Sequence, residues 1–192
     1  MSKFLLIDNY DSFTYNLVNI LRSMNVDYEV HRNDKISPEE ALRFDVIILS
    51  PGPGIPSEAG NMPRIIAACT GKKPILGICL GHQAIAEYLG AKLNNMSLVY
   101  HGVQTKIIIM SNEGIFQGLP REIDVGRYHS WEVSRDGLPE NISIIAEDEN
   151  GTIMALSDYS KKIYGIQFHP ESVLTEAGHK LLSNFLDIAK AT

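Results

Sequence analysis

Apolar residues follow two rhythms along this chain, and the change between them divides the sequence into halves. Residues 4–7, 45–49 and 74–78 are short, nearly continuous apolar runs. Such runs suit strands buried on both faces of a parallel sheet. Between the first two, Phe13, Leu17, Ile20, Leu21 and Met24 recur at helical spacing and mark one helix face. That helix is expected to begin near Asp11 or Ser12, both of which suit an N-cap. Residues 28–30 are a weaker strand candidate, 63–69 suit a short helix, and 80–89 suit a longer one stopped by Gly90. The order β-α-β-α-β with short connections predicts a parallel sheet with helices on both faces. In the second half, residues 107–110, 142–146, 152–156 and 163–168 are strand-like runs separated by turn residues. These predict antiparallel additions to the sheet. A last helix over about 175–189 presents Leu181, Leu182, Phe185 and Ile188 on one side. The expected class is therefore α/β: a mostly parallel central sheet flanked by helices, with antiparallel additions in the second half.

Composition narrows the field by exclusion. The 192 residues suit one compact domain over 1–192, without repeat, linker or low-complexity segment. A net charge of -6 with no basic run argues against nucleic-acid binding, which needs clustered Lys and Arg. No apolar stretch approaches the roughly 18–20 residues of a bilayer span. The N-terminal apolar run is too short for a signal peptide, and Asp8 and Asp11 follow at once. A cytoplasmic location is expected. The two cysteines, Cys69 and Cys79, make no disulfide framework and lack zinc-site spacing. Cys69 sits in an apolar helical run and reads as core packing.

Three segments carry candidate chemistry. Ligands of open α/β sheets bind beyond the carboxyl ends of the parallel strands, where all three fall. The first, Gly77-Ile78-Cys79-Leu80-Gly81-His82-Gln83, has the form of a nucleophile elbow with Cys in place of Ser. Glycines on either side permit a sharp strand-to-helix turn, and the helix N-terminus favours a thiolate at Cys79. The amide of Leu80 is a natural oxyanion donor. A buried core thiol is the competing reading of an isolated Cys. The second segment, His169-Pro170-Glu171, follows the strand over 163–168. Pro170 favours an extended chain, which would place Glu171 on the same side as His169 and let it orient the imidazole. By itself this pattern also fits a surface turn or a metal half-site. The third, Ser50-Pro51-Gly52-Pro53-Gly54, is a rigid loop whose backbone can approach a substrate closely, and the Gly52 amide could be a second oxyanion donor. An ordinary strand-exit turn fits it equally well. Trp131, the only Trp, follows Tyr128-His129-Ser130 and reads either as a half-buried anchor or as part of a site.

Together these motifs resemble those of class I, triad-type glutamine amidotransferases. The resemblance rests on PGPG at 51–54, GICLGHQAI at 77–85 and GIQFHPES at 165–172, and it runs from Asp8 to Glu171. The opening DNYDSFTYNL at 8–17 and RYHSW at 127–131 are similar to the chorismate-using branch of the family. That branch comprises component II of anthranilate synthase, which is favoured, and component II of aminodeoxychorismate synthase. The resemblance implies a Cys79–His169–Glu171 triad that hydrolyses L-glutamine through a glutamyl thioester. It implies glutamine and oxyanion contacts at Gly52, Pro53, Gly54, Leu80, Gln83, Ser130 and Trp131. The contact at Ser130 and Trp131 is expected through the backbone; relatives more often have Leu at the position of Trp131, a change that a backbone contact should tolerate. No cofactor or metal is implied in this chain. Ammonia would pass to a separate chorismate-binding synthase subunit holding magnesium, because 192 residues leave no room for a synthase domain. The region 10–13 and the face around Cys79 are expected to meet that subunit. Two other classes compete: a stand-alone cysteine hydrolase and a non-catalytic module that kept the fold.

Overall fold

The computed structural model describes residues 2–191. Its centre is one nine-stranded sheet. The first half supplies β1 (Lys3–Asp8), α1 (Thr14–Ser23), β2 (Asp27–Arg32), α2 (Pro38–Ala41), β3 (Val46–Leu49), α3 (Met62–Cys69), β4 (Ile75–Ile78) and α4 (Leu80–Tyr88). The second half supplies β5 (Leu93–Asn95), β6 (Val103–Ile109), β7 (Glu122–Arg127), β8 (Trp131–Val133), β9 (Ser143–Asp148), β10 (Ile153–Asp158), β11 (Ile163–Ile166) and α5 (Gly178–Lys190). In space the order is β2-β1-β3-β4-β11-β10-β9-β6-β7, and β5 and β8 form a separate small ribbon. The strands from β2 to β11 run parallel; β10, β9, β6 and β7 continue the sheet antiparallel.

The pleat explains the continuous apolar runs. In β1, Phe4 and Leu6 enter one core while Leu5 and Ile7 enter the other. β3 divides in the same way, with Val46 and Ile48 on the first side and Ile47 and Leu49 on the second. Both faces are buried, so there is no polar side to leave an alternation in the sequence. Leu17 and Leu21 of α1 and Leu181, Leu182 and Phe185 of α5 close the first face. Met62, Ile65 and Ile66 of α3 and Ile85 of α4 close the second. Cys69 is fully buried there as packing, and burial pushes its thiol pKa up.

The structure departs from the expected boundaries at several places, among them β6, which begins at Val103 and not at Ile107. α1 begins at Thr14, with Phe13 at the cap and no side-chain cap bond, rather than at Asp11 or Ser12. The Asp8 carboxylate folds the intervening turn by accepting from the amides of Tyr10 and Asp11 and the Thr14 hydroxyl, at 2.9, 3.3 and 2.9 Å. The run over 163–168 ends as a strand at Ile166 and joins the parallel half through β4, being antiparallel only to β10. α5 begins at Gly178, because Thr175 is engaged elsewhere: its hydroxyl donates to the His169 carbonyl and accepts from the Gly126 amide. Finally, β5, β7 and β8 are strands that the sequence pattern did not predict. Gly90, by contrast, ends α4 as expected, with φ 100° and a Schellman pair of bonds from Gly90 to Glu87 and from Ala91 to Ala86.

Candidate active site

Four strand ends converge at the carboxyl edge of the parallel half. Asn9 follows β1, Ser50–Gly54 follow β3, Cys79 follows β4, and Gln167–Glu171 follow β11. The first two are tied together. The Asn9 amide donates to Ser50 Oγ at 2.9 Å, and Asn9 Nδ2 donates to the Ser50 carbonyl at 2.8 Å. The loop presses so closely on its neighbours that a Cβ at Gly52 would lie 2.6 Å from Asn9 Cβ and 2.8 Å from Leu80 Cδ2. Only glycine brings the Gly52 backbone this near Leu80, the residue that follows the nucleophile candidate. Pro53 and Gly54 are exposed at the loop tip.

Cys79 sits at φ 51°, ψ -100°, between β4 and α4. For a residue with a side chain this is a strained backbone, the kind that persists only where the surroundings fix it. The fixing contact is the close approach of Gly77 and Gly81: a Cβ on Gly77 would lie 2.4 Å from the Gly81 carbonyl. The resulting elbow puts Cys79 ahead of α4, whose first intrahelical bond runs from the Gln83 amide to the Cys79 carbonyl at 3.0 Å. The amides of Leu80, Gly81 and His82 therefore lack helical partners and point toward the cleft end of the helix.

His169 and Glu171 meet as a buried pair, with His169 Nδ1 2.6 Å from Glu171 Oε1. They meet across a turn, not along an extended segment. The Ser172 amide donates to the His169 carbonyl at 3.3 Å, and Pro170 occupies the second turn position, where its fixed φ is favourable. A bridge between the His169 amide and the Gly126 carbonyl, at 3.0 Å, anchors the turn on β7. The imidazole is packed by Tyr128, ring centroids 4.8 Å apart, and by Phe13 at 5.8 Å. Burial disfavours the imidazolium, but Cys79 and Glu171 outweigh it and hold the His169 pKa above its ordinary value. His169 Nε2 has no hydrogen-bond partner of good geometry, and Cys79 is near enough to favour its protonated form.

A further group of residues closes the site from the antiparallel half. Gln83 Nε2 donates to the Trp131 carbonyl at 3.0 Å and to Gln167 Oε1 at 3.2 Å. Gln167 Nε2 in turn donates to Cys79 Sγ at 3.5 Å, and the Tyr128 carbonyl lies 3.9 Å from the same sulfur. Trp131 thus meets Gln83 through its carbonyl, and the residue is half-buried. The Ser130 carbonyl is taken by the Met96 amide at 2.8 Å. Behind this segment lies a buried pair, Arg127 Nη1 to Asp148 Oδ2 at 2.7 Å. Arg127 also donates from Nε to His129 Nε2 at 3.0 Å, and its Cζ lies 3.6 Å from the Tyr100 ring centre. Burial and the neighbouring guanidinium push His129 down to about 4, so it is neutral and donates from Nδ1 to the Trp131 carbonyl. His82 is fully buried, and burial lowers it to about 3.

Hydrogen bonds and ring packing link Cys79, Gln83, Trp131, His169 and Glu171 through Tyr128 and Gln167, and Gly52 lies against Leu80. Pro53 and Gly54, by contrast, stand at the exposed loop tip, and the Ser130 carbonyl is held by Met96. Gln167 lay inside the GIQFHPES motif but carried no sign of its contact with sulfur. Arg127, His129 and Asp148 support the cleft from behind. Among the described residues, no cluster of three His, Cys, Asp or Glu is placed to hold a metal ion. None of the described helices is long and apolar enough to cross a membrane.

A cysteine at a strand-to-helix elbow, backed by a His–carboxylate pair and unpaired helix amides, defines a class of α/β enzymes that activate a thiol. Comparison with known proteins places the chain within that class. It belongs to the class-I glutamine amidotransferase family, whose model matches residues 5–189. It is 43% identical over 189 residues to anthranilate synthase component 2 of Mycobacterium tuberculosis, covering 96% of this chain and 81% of that one. It is 45% identical over 184 residues to aminodeoxychorismate synthase component 2 of Escherichia coli K12, covering 95% and 98%. Among solved structures, a candidate GMP synthase component from Thermoplasma acidophilum superposes with a TM-score of 0.90 at 32% identity, covering 100% and 95%.

Proposed function

We propose that the chain is the glutamine-hydrolysing subunit of a cytoplasmic anthranilate synthase, releasing ammonia for a separate chorismate-binding subunit. The observation that carries the glutaminase reading is Cys79 in its strained elbow, with the buried His169–Glu171 pair packed beside it. Cys79 Sγ attacks the side-chain amide carbon of glutamine, and the amides of Gly52 and Leu80 hold the tetrahedral oxyanion. His169, held by Glu171, protonates the departing nitrogen, which leaves as ammonia and gives a glutamyl thioester. His169 then takes a proton from water, which attacks the thioester and releases glutamate and the free thiol. Gln83 and the backbone at Gly52–Gly54 and Ser130–Trp131 line the place where the rest of the glutamine would lie. The chemistry needs no metal in this chain; magnesium would belong to the partner's own reaction on chorismate.

Support for a partner comes from the surface beside the cleft. Tyr10 is 48% exposed, Tyr15 70% and Val173 96%, and all three lie next to residues of the site in sequence. Asp11 is half-buried beside them and close enough to His169 and Glu171 to feel their charge. Exposed large side chains of this kind are suited to burial against a second protein. Charge reversal by Asp11→Lys is expected to weaken co-purification with the synthase subunit, and unchanged binding would move the interface elsewhere.

The 45% identity to aminodeoxychorismate synthase component 2 keeps a second acceptor in play. Reconstitution with each candidate synthase, supplied with chorismate and glutamine, separates them by product. Anthranilate is expected. Formation of aminodeoxychorismate alone would change the acceptor and leave the glutaminase chemistry intact. Full turnover without any partner would favour a stand-alone hydrolase.

A further inference from the structure

The hydrogen bonds around Cys79 have fixed directions, and those directions assign a role to Gln167. The Trp131 carbonyl can only accept. The group that Gln83 turns toward it must therefore be the Nε2 amine, at 3.0 Å. The same Nε2 reaches Gln167 at 3.2 Å, so the Gln167 atom it meets must be the Oε1 acceptor. That leaves Gln167 Nε2, a donor, facing Cys79 Sγ at 3.5 Å. Turning over either amide would set donor against donor or acceptor against acceptor. The starting carbonyl is itself held from the other side. Arg127 can only donate, so His129 accepts at Nε2 and must carry its proton on Nδ1, which it gives to Trp131 at 2.9 Å. Gln167 is fully buried, and each end of its amide has one partner.

We propose that Gln167 is a catalytic residue that donates its amide N–H to the Cys79 sulfur and stabilises the thiolate, with its orientation set by Gln83. The assignment rests on Cys79 being the nucleophile. A donor aimed at sulfur favours the charged form over the thiol, and the effect is stronger in a site sheltered from water. It works alongside His169, which Cys79 and Glu171 hold toward its charged form, and against the Tyr128 carbonyl, which lies 3.9 Å from the sulfur and can accept only from the thiol. It also makes Gln83 a link between the nucleophile and the cleft where glutamine would lie. The thiolate is supported most when Gln83 holds Gln167 in this orientation.

The test is the pH dependence of Cys79 alkylation by iodoacetamide in the full-length chain, read at the Cys79 peptide by mass spectrometry, with thermal unfolding recorded for each variant. The wild-type alkylation profile is the reference for each variant. Gln167→Met keeps the bulk and removes the donor, and should raise the midpoint by about one pH unit. Gln83→Met leaves the donor but frees its orientation, and should raise the midpoint by less. The proposal is overturned if Gln167→Met folds and keeps the wild-type midpoint, since a merely structural role would lower stability and leave the titration unmoved. It is equally overturned if Gln167→Met fails to fold and Gln83→Met leaves the midpoint unchanged. Alkylation does not read glutamine turnover. Failure of the glutaminase reading would appear separately, as undiminished hydrolysis by Cys79→Ala.

Discussion

Two buried histidines near Cys79, His169 beyond the parallel half and His129 in the antiparallel half, are held in opposite states. His169, just beyond the parallel half, has a carboxylate at 2.6 Å and a cysteine beside it, and its pKa is pushed up. His129, in the antiparallel half, has a guanidinium at 3.0 Å and is pushed down to about 4. Both are almost fully buried, so burial alone would make both neutral. What separates them is the charge each was given as a neighbour. The difference teaches a division of labour. His169 is placed to exchange protons, whereas His129 is locked in one protonation state and serves as a fixed donor and acceptor.

That division can be broken from either side. The largest effect is expected from Glu171→Gln, which keeps the shape but removes the charge that orients and charges His169. Glutamine hydrolysis should fall by at least about 100-fold, with stability nearly unchanged. An equal loss of stability and activity would mean that the pair is structural. Arg127→Met should do the reverse. It leaves Asp148 buried and unpaired, at a cost of roughly 3–5 kcal/mol, enough to lower Tm by on the order of 10 °C. Its effect on turnover should come mainly through a raised KM for glutamine, as the Tyr128–Trp131 segment loosens. A Tm within a degree or two of wild type would show that the pair is not holding the segment.

The smallest effect is a slope. The pKa of folded His129 is about 4, below the ~6.5 of an unfolded histidine, so between these values the unfolded chain binds the extra proton. Stability contributed by the neutral form is thus present above about pH 6.5 and is lost as pH falls toward 4. His129→Asn should make that decline shallower by up to ~1.4 kcal/mol per pH unit, measured as urea midpoints across the window. An identical slope in the variant would place the proton elsewhere.

The parallel half was far more legible in the sequence than the antiparallel half, and the reason is physical. Strands β1, β3 and β4 are buried on both faces and announce themselves as apolar runs, and the elbow around Cys79 needs glycines at fixed spacing. β7 does alternate, burying Ile123, Val125 and Arg127, but a buried arginine looks in sequence like a solvent-facing one. Its partner Asp148 is 21 residues away, so nothing local reveals the pair. β5 and β8 are three residues each, too short for any period to show. In the site, Cys79, His169 and Glu171 were legible because their residue types carry chemistry. The pairing of His169 with Glu171 was expected from an extended chain and is made instead by a turn. Gln167 was not legible at all, since an amide beside an aromatic in a strand-like run has no sequence signature of contact with sulfur. For Trp131, the structure shows the carbonyl accepting from Gln83.

The central claim is that Cys79 carries the chemistry, and the most direct test is glutamate release from glutamine by wild type and Cys79→Ala, each alone and with chorismate and the synthase subunit. The account predicts slow release by wild type alone, faster release on assembly, and a loss on the order of 10⁴-fold or more in Cys79→Ala under both conditions. Hydrolysis of glutamine by Cys79→Ala at the wild-type rate would contradict it.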